Sequence, residues 1–172
     1  MKIVKDFIDS GFIQQVLTEN DNLIYENVWR SSLGWQKEIV APSGLVLIRS
    51  LSENQKITLT KALVEKGLVE SGQKIELDAQ AYLWHRLSYI PWHDDRHSDD
   101  EIRFAATLYL NSEWNDNWGG LFLYKIGEEI RAEAPAYNKL VFNDQNFSHA
   151  TSILSTDAPL RHTVQLFWKL IR

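Results

Sequence analysis

With 172 residues and 20.0 kDa, the chain is long enough to bury a substantial core and short enough to be one domain. It carries 18 Lys and Arg against 23 Asp and Glu, a net charge of −5, with no basic block or stripe, so a nucleic-acid backbone is not an expected partner. It has no cysteine, which excludes disulfides, thiolate zinc sites, iron–sulfur clusters and cysteine nucleophiles, and leaves any metal to His, Asp or Glu.

No apolar run reaches the roughly 20 residues of a membrane span, and the opening MKIVKDFIDS has no signal-peptide pattern. No membrane partner is expected, and a cytoplasmic location is. Residues 2–9 hold a short apolar run that suits a strand. Ser10 stands where a helix N-cap is expected, and Phe12, Ile13, Val16 and Leu17 follow at helical spacing up to a polar turn at 20–22. Between residues 23 and 35, Tyr25, Trp29 and Trp35 lie among polar residues with no clean period, a composition that suits a lid. Pro42-Ser43-Gly44 marks a turn before the short apolar run 45–48, a buried strand or a helix start. Residues 52–72 read as a helix, with Leu59, Leu63, Val64 and Leu68 on one face and Gly72 as its stop.

From about residue 75 the hydrophobic period changes to two. Runs 76–90, 102–110, 120–126, 129–133, 138–143, 148–154 and 161–171 read as strands divided by turn residues. Seven strands behind two helices predict a mainly β fold, an antiparallel sandwich or barrel over 75–172 buttressed by residues 1–74. Two strands have a divided face pattern. Arg161, Thr163 and Gln165 alternate with His162, Val164, Leu166 and Trp168, and Arg103, Thr107 and Tyr109 share a face opposite Ile102, Phe104, Ala106, Leu108 and Leu110. Such a polar face meets water in an open sheet or lines a polar pocket in a small barrel; these two strands alone do not choose.

The chemistry-bearing stretch is Pro91-Trp92-His93-Asp94-Asp95. In an extended strand, residues two apart share a face, which pairs His93 with Asp95 and points Asp94 away. His97 has the same parity but sits in an acidic run, 97–101, that reads as a solvated loop. His162 alternates away from Arg161 and reads as an outer-face residue; His85 reads as structural. A lone His-x-Asp pair recurs by chance. What gives it weight is the order downstream: His149 after the polar turn 143–148, then Arg161 opening the last strand. Two histidines and a carboxylate leave half of the coordination sphere of Fe(II) open, and the guanidinium fork of arginine matches a carboxylate with two parallel hydrogen bonds.

In that order the motifs resemble the Fe(II)/2-oxoglutarate-dependent dioxygenases, in particular the prolyl-4-hydroxylase-like branch, over roughly residues 76–172. His93-Asp94-Asp95 is similar to the family's His-x-Asp motif, Thr107-Leu108-Tyr109-Leu110-Asn111 to its Tyr-Leu-Asn strand, and Trp118-Gly119-Gly120-Leu121 to the turn after it. Residues 138–149 resemble the strand and turn carrying the distal His149, and Arg161-His162-Thr163 through Trp168 the closing Arg-x-Ser/Thr strand. The resemblance implies a double-stranded β-helix, or jelly roll, with catalytic iron held by His93, Asp95 and His149. It implies 2-oxoglutarate chelating that iron, its far carboxylate on Arg161 with help from the Tyr109 hydroxyl and Thr163. Fe(II), 2-oxoglutarate and O2 are the implied cofactor and cosubstrates, with ascorbate as an accessory reductant.

The implied reaction converts 2-oxoglutarate and O2 to succinate and CO2 while a prolyl residue of a protein or peptide gains a hydroxyl. The alternatives are a free amino acid or other small molecule as substrate, or a jelly-roll binding protein without turnover. A carboxylate anchor beside three metal ligands speaks against the last. The approach to His93 lacks the Pro/Gly-rich turn frequent in the family, so a second cosubstrate tyrosine is unassigned between Tyr82 and Tyr89. Gly119 and Gly120 need only make a turn. Most of the seven tryptophans are expected to pack, with Trp92 at the mouth of the site.

Overall fold

The computed structural model describes residues 1–22, 26–27, 43–95 and 103–171. In chain order these form β1 (Lys2–Val4), α1 (Ser10–Asn22), β2 (Glu26–Asn27), β3 (Val46–Ser50), α2 (Glu53–Glu65), β4 (Ile75–Trp84), β5 (Ile90–His93), β6 (Arg103–Tyr109), β7 (Phe122–Ile126), β8 (Glu129–Glu133), β9 (Leu140–Asn143), β10 (His149–Thr151) and β11 (Arg161–Leu170), with a short 3-10 turn at Asp116–Trp118. The strands make a seven-stranded sheet, β1-β9-β6-β11-β4-β3-β2, and a four-stranded sheet, β5-β10-β7-β8. Every pairing between these strands is antiparallel. From β4 onward the chain changes sheet at each step except β7 to β8. That winding is a double-stranded β-helix, or jelly roll.

The period-two pattern is satisfied by burying both faces of the larger sheet. Its outer face packs Leu108, Leu140, Val164, Leu166 and Trp168 against Phe12, Ile13 and Val16 of α1 and Leu59 and Leu63 of α2. Its inner face points Ile48, Tyr82, Trp84, Tyr109 and Val141 toward the four-stranded sheet. The polar residues Thr107, Tyr109, Arg161 and Thr163 are therefore buried inside the barrel rather than wetted outside it. The N-terminal part contributes strands as well as helices: β1 pairs β9 and β3 pairs β4.

Local chemistry shifts several boundaries. Ser52 caps α2 through a capping box with Gln55, but the helix stops at Lys66–Gly67, where Gly67 (φ 66°) takes the left-handed position and its N–H donates to Val64 O. Gly67 is thus the stop, not Gly72. In α1 it is the Asp9 carboxylate, not Ser10, that accepts from the Gly11 N–H at 2.7 Å. The expected turn at 20–22 is instead the last turn of this helix, because Asn20 is drawn inward onto Arg49 and His162. The expected strand 2–9 narrows to three residues, and Asp6 has φ 48°.

The run 76–90 breaks into two strands in different sheets. The break is a tight turn in which Leu87 adopts φ 65° and the buried Ser88 hydroxyl donates to His85 O. Backbone bonds from Leu87 N to Leu154 O and from Leu154 N to Ser88 O, both 3.0 Å, tie this turn to the segment before β11. No helix among the described residues is long and apolar enough to cross a membrane. Tyr25, Trp29, Trp35 and His97 lie outside the described residues.

Candidate metal centre and carboxylate pocket

His93 owes its direction to a bulge. His149 pairs with His93 and Thr151 with Ile90, so two residues of β5, Pro91 and Trp92, oppose the single Ala150 of β10. The extra residue lets Ile90 join the barrel interior at one end while His93 turns inward at the other. Trp92 is left 38% exposed on the outer face, where the Lys125 ammonium lies 4.7 Å from its ring centroid.

His93 and His149 face each other across the two strands with ring centroids 4.2 Å apart. Nδ1 of His93 lies 2.8 Å from Pro91 O and Nδ1 of His149 lies 3.0 Å from Phe147 O. A carbonyl can only accept, so each Nδ1 carries the proton and each Nε2 offers a lone pair. Asp95 meets both: Oδ1 is 3.8 Å from His93 Nε2, and Oδ2 is 3.5 Å from His149 Nε2. Asp95 lies just past the end of β5, held by its own N–H donating to Asn146 Oδ1 at 3.2 Å; Asp94 is exposed. One ligand atom from each of the three residues can be chosen so that all lie within 4.8 Å of one another.

The Asp95 Oδ2 atom is buried without a hydrogen-bond partner among the described residues. Burial first, and then the neighbouring His149, push the His93 imidazole below its ordinary value, toward the neutral ligand form. Two imidazole nitrogens and one carboxylate oxygen converging in this way suit a first-row divalent metal with open positions. Outer contacts fix the donors. The Phe122 ring stacks on His149 at 5.1 Å and 15°. Asn143 clamps the turn before His149, accepting from Phe147 N at 2.9 Å and donating to Phe147 O at 3.0 Å.

Arg161 lies on the inner face of the opposite sheet. It is 1% exposed, and its Nε and Nη1 are buried with no hydrogen-bond partner among the described residues. What surrounds it is aromatic: the guanidinium carbon lies 4.9 Å from the Trp84 ring centroid and 5.2 Å from that of Tyr109. Trp84 is its cross-strand partner, and Thr163 is directly opposite Tyr109. Gly120 (φ 65°) leaves room for the side chain, since a Cβ there would sit 3.0 Å from Arg161 Cδ. Burial pushes the Arg161 pKa down and the Tyr109 pKa up, while each group pulls the other partway back. The Tyr109 hydroxyl is itself buried without a hydrogen bond of normal geometry.

A buried cation with no counter-ion among the described residues is costly, of order several kcal/mol. A guanidinium fork so placed can receive an anion with two acceptor oxygens. Packing links Arg161 to the three candidate ligands: Tyr109 and Phe122 lie in one cluster, and Phe122 stacks on His149.

The other histidines fall away from this cavity. His162 is on the outer face, its Nδ1 3.2 Å from Asn20 Nδ2. His85 follows β4, its backbone N–H donating to Leu45 O. Of the two unassigned tyrosines, Tyr82 is inside, fully buried beside Trp84, and Tyr89 is not. Sequence reading missed Trp84, Gly120, Asn143 and the bulge. Strand parity could have put Trp84 on an inner face, but its place opposite Arg161 depends on register.

No family model matches the chain, and no curated protein matches it. Solved structures do. A prolyl-4-hydroxylase from Pseudomonas putida matches with a TM-score of 0.72 and 16% identity, over 99% of this chain and 92% of that one. A prolyl hydroxylase from Trichoplax adhaerens, in complex with a peptide fragment of the hypoxia inducible factor oxygen degradation domain, matches with 0.72 and 17%, over 98% and 82%. The viral collagen prolyl hydroxylase of Paramecium Bursaria Chlorella virus-1, as its 2-oxoglutarate complex, matches with 0.65 and 12%, over 99% and 96%. At these identities the likeness is one of fold: the chain has the jelly-roll fold of the prolyl hydroxylases and other 2-oxoglutarate–Fe(II) oxygenases.

Proposed function

We propose that this chain is an Fe(II)- and 2-oxoglutarate-dependent dioxygenase that hydroxylates a prolyl residue of a protein or peptide. The observation that carries the reading is the buried guanidinium of Arg161, whose Nε and Nη1 have no hydrogen-bond partner among the described residues, inside the same barrel as the three-donor cluster. A metal-binding protein without turnover has no use for a carboxylate anchor there. Support for a prolyl peptide comes from structures of the same fold that are prolyl hydroxylases, one of them holding a peptide.

In this reading His93, Asp95 and His149 hold Fe(II) on one side and leave the other for the 2-oxo acid and O2. Fe(II) would supply O2 activation, with 2-oxoglutarate providing two electrons as it becomes succinate and CO2 and the substrate C–H becomes C–OH. Arg161 receives the far carboxylate of 2-oxoglutarate through its fork. Tyr109, kept protonated by burial, donates to that carboxylate beside the hydroxyl of Thr163. The aromatic walls, Trp84, Tyr109 and Phe122, keep water from the anchor and strengthen each of these interactions.

The test is succinate release from 2-oxoglutarate by the iron-loaded protein, with and without proline-containing peptides whose mass is followed for the gain of one oxygen. Folded, iron-loaded protein that releases no succinate would end the dioxygenase reading. Succinate release without oxidation of any prolyl peptide would end the substrate assignment alone.

A further inference from the structure

We propose that Trp84 is a positioning residue for the carboxylate anchor, holding Arg161 with its ring and Thr163 with its indole N–H. This rests on the 2-oxoglutarate reading of the pocket. Trp84 is wholly buried on β4, opposite Arg161 in the ladder. Its Nε1–H donates to Thr163 Oγ1 at 3.0 Å, and the Arg161 guanidinium carbon lies 4.9 Å from its ring centroid. One side chain thus contacts two of the three groups assigned to the far carboxylate.

The two contacts do different things. A threonine hydroxyl can donate once and accept twice. With the Trp84 N–H occupying one lone pair, the rotation of the hydroxyl is restricted and its proton is free to donate into the pocket. The ring face meanwhile stabilises a guanidinium that has no carboxylate partner among the described residues and excludes water from it. Tyr109 covers another side at 5.2 Å, and Gly120, where a Cβ would lie 3.3 Å from Arg161 Nε, makes the room that the side chain occupies. The anchor is therefore preorganised before any carboxylate arrives, which lowers the ordering cost of binding.

The experiment uses the full chain loaded with Mn(II) as a redox-silent metal and titrated calorimetrically with 2-oxoglutarate. Trp84→Phe keeps a ring and removes the N–H. The expected result is a three- to ten-fold weaker dissociation constant for 2-oxoglutarate, about the worth of one hydrogen bond, with Mn(II) affinity unchanged. In turnover the same variant raises KM for 2-oxoglutarate with kcat at saturation retained.

Thr163→Val should weaken binding to a similar degree and Thr163→Ser should restore it. The Trp84→Phe/Thr163→Val double variant should be no worse than the weaker-binding single variant, because both remove one coupled interaction. Wild-type affinity in Trp84→Phe, or losses that multiply in the double variant, overturns the proposal. If Trp84→Phe does not fold, Thr163→Val decides, and unchanged affinity there also overturns it. Arg161→Ala separates the two levels. Retained affinity in that variant defeats the cosubstrate reading itself, whereas lost affinity there with none lost in Trp84→Phe defeats only the role of Trp84.

Discussion

His93 and His149 stand directly opposite each other on adjacent antiparallel strands, and both present Nε2 to the carboxylate of Asp95. Without a cation this arrangement is a conflict, since lone pairs face one another and Asp95 Oδ2 is buried unbonded. The backbone holds it regardless, through Pro91 O, Phe147 O and the β5–β10 ladder. Asp95→Asn should therefore stabilise the metal-free protein, by on the order of 1 kcal/mol, and remove the rise in melting temperature that Mn(II) gives the wild type. Thermal melts of chelator-treated protein with and without added Mn(II) check both halves. An Asp95→Asn variant still stabilised by metal would remove Asp95 from the ligand set.

Asn143 reaches the His149 ring only at Nδ1, 3.4 Å from its Nδ2, and it closes the turn that delivers His149. Asn143→Ala leaves all three donors in place and frees the Phe147 carbonyl that fixes the His149 tautomer. Metal affinity should fall about ten- to a hundred-fold, measured by competition with a chromogenic chelator. Unchanged affinity would mean that the ladder alone aims the imidazole.

How much of this was legible in the sequence depended on how local each signal is. His93 and Asp95 are two residues apart, and the chain order supplies His149 and Arg161. The split faces of 161–168 and 102–110 were also readable. Whether the polar face met water or a pocket was not, because that depends on a second sheet covering it. The reason given for pairing His93 with Asp95 was incomplete: β5 ends at His93, and a bulge turns that residue inward. Trp84 looked like one packing tryptophan among seven, since nothing in the sequence states the register of β4 against β11. Helix ends were misplaced where two residues of the same type competed, as Gly67 and Gly72 did.

Gly119 and Gly120 both have positive φ, 71° and 65°, but they face different neighbours. A Cβ on Gly119 would lie 2.1 Å from Ile153 O, a backbone atom in the bridge between Gly119 and Leu154 that cannot move aside cheaply. A Cβ on Gly120 would instead meet the flexible Arg161 side chain at 3.0 Å. Gly120→Ala should cost about 1–2 kcal/mol from backbone strain and weaken 2-oxoglutarate binding. Gly119→Ala should destabilise more. Urea midpoints and calorimetric titration read the two effects; equal stability losses with 2-oxoglutarate binding intact in Gly120→Ala would break the link to Arg161.

Arg161→Met exchanges a buried cation with no counter-ion among the described residues for an apolar chain of similar length. The ligand-free protein should be as stable or more stable, by about 1–2 kcal/mol, and should bind metal normally. It should no longer be stabilised by 2-oxoglutarate, which adds to the melting temperature of the metal-loaded wild type through linkage. Melting curves of both proteins across a 2-oxoglutarate titration test this. A large loss of ligand-free stability in Arg161→Met would show that the guanidinium is a structural element of the barrel.

On the other face of β11, His162 gives the fold a dependence on pH. Asn20 Oδ1 accepts from Arg49 Nε at 3.1 Å and Nη2 at 3.0 Å, which orients Asn20 Nδ2 to donate to His162 Nδ1. Protonating that nitrogen would set donor against donor beside a guanidinium, itself paired with Glu19. Burial holds the His162 pKa below its ordinary value, opposed in part by Asp21. A histidine depressed in the fold contributes its full stability above the unfolded value, about 6.5. As the pH falls below that, the unfolded chain takes up the proton first, and stability is lost until the folded-state pKa is passed. His162→Gln keeps an acceptor for Asn20 and removes the titration. The variant should lose less stability than the wild type between about pH 7.5 and about pH 5 in urea unfolding, and because the two proteins share every other titrating group, the difference isolates His162. Parallel pH profiles would place the acid sensitivity elsewhere.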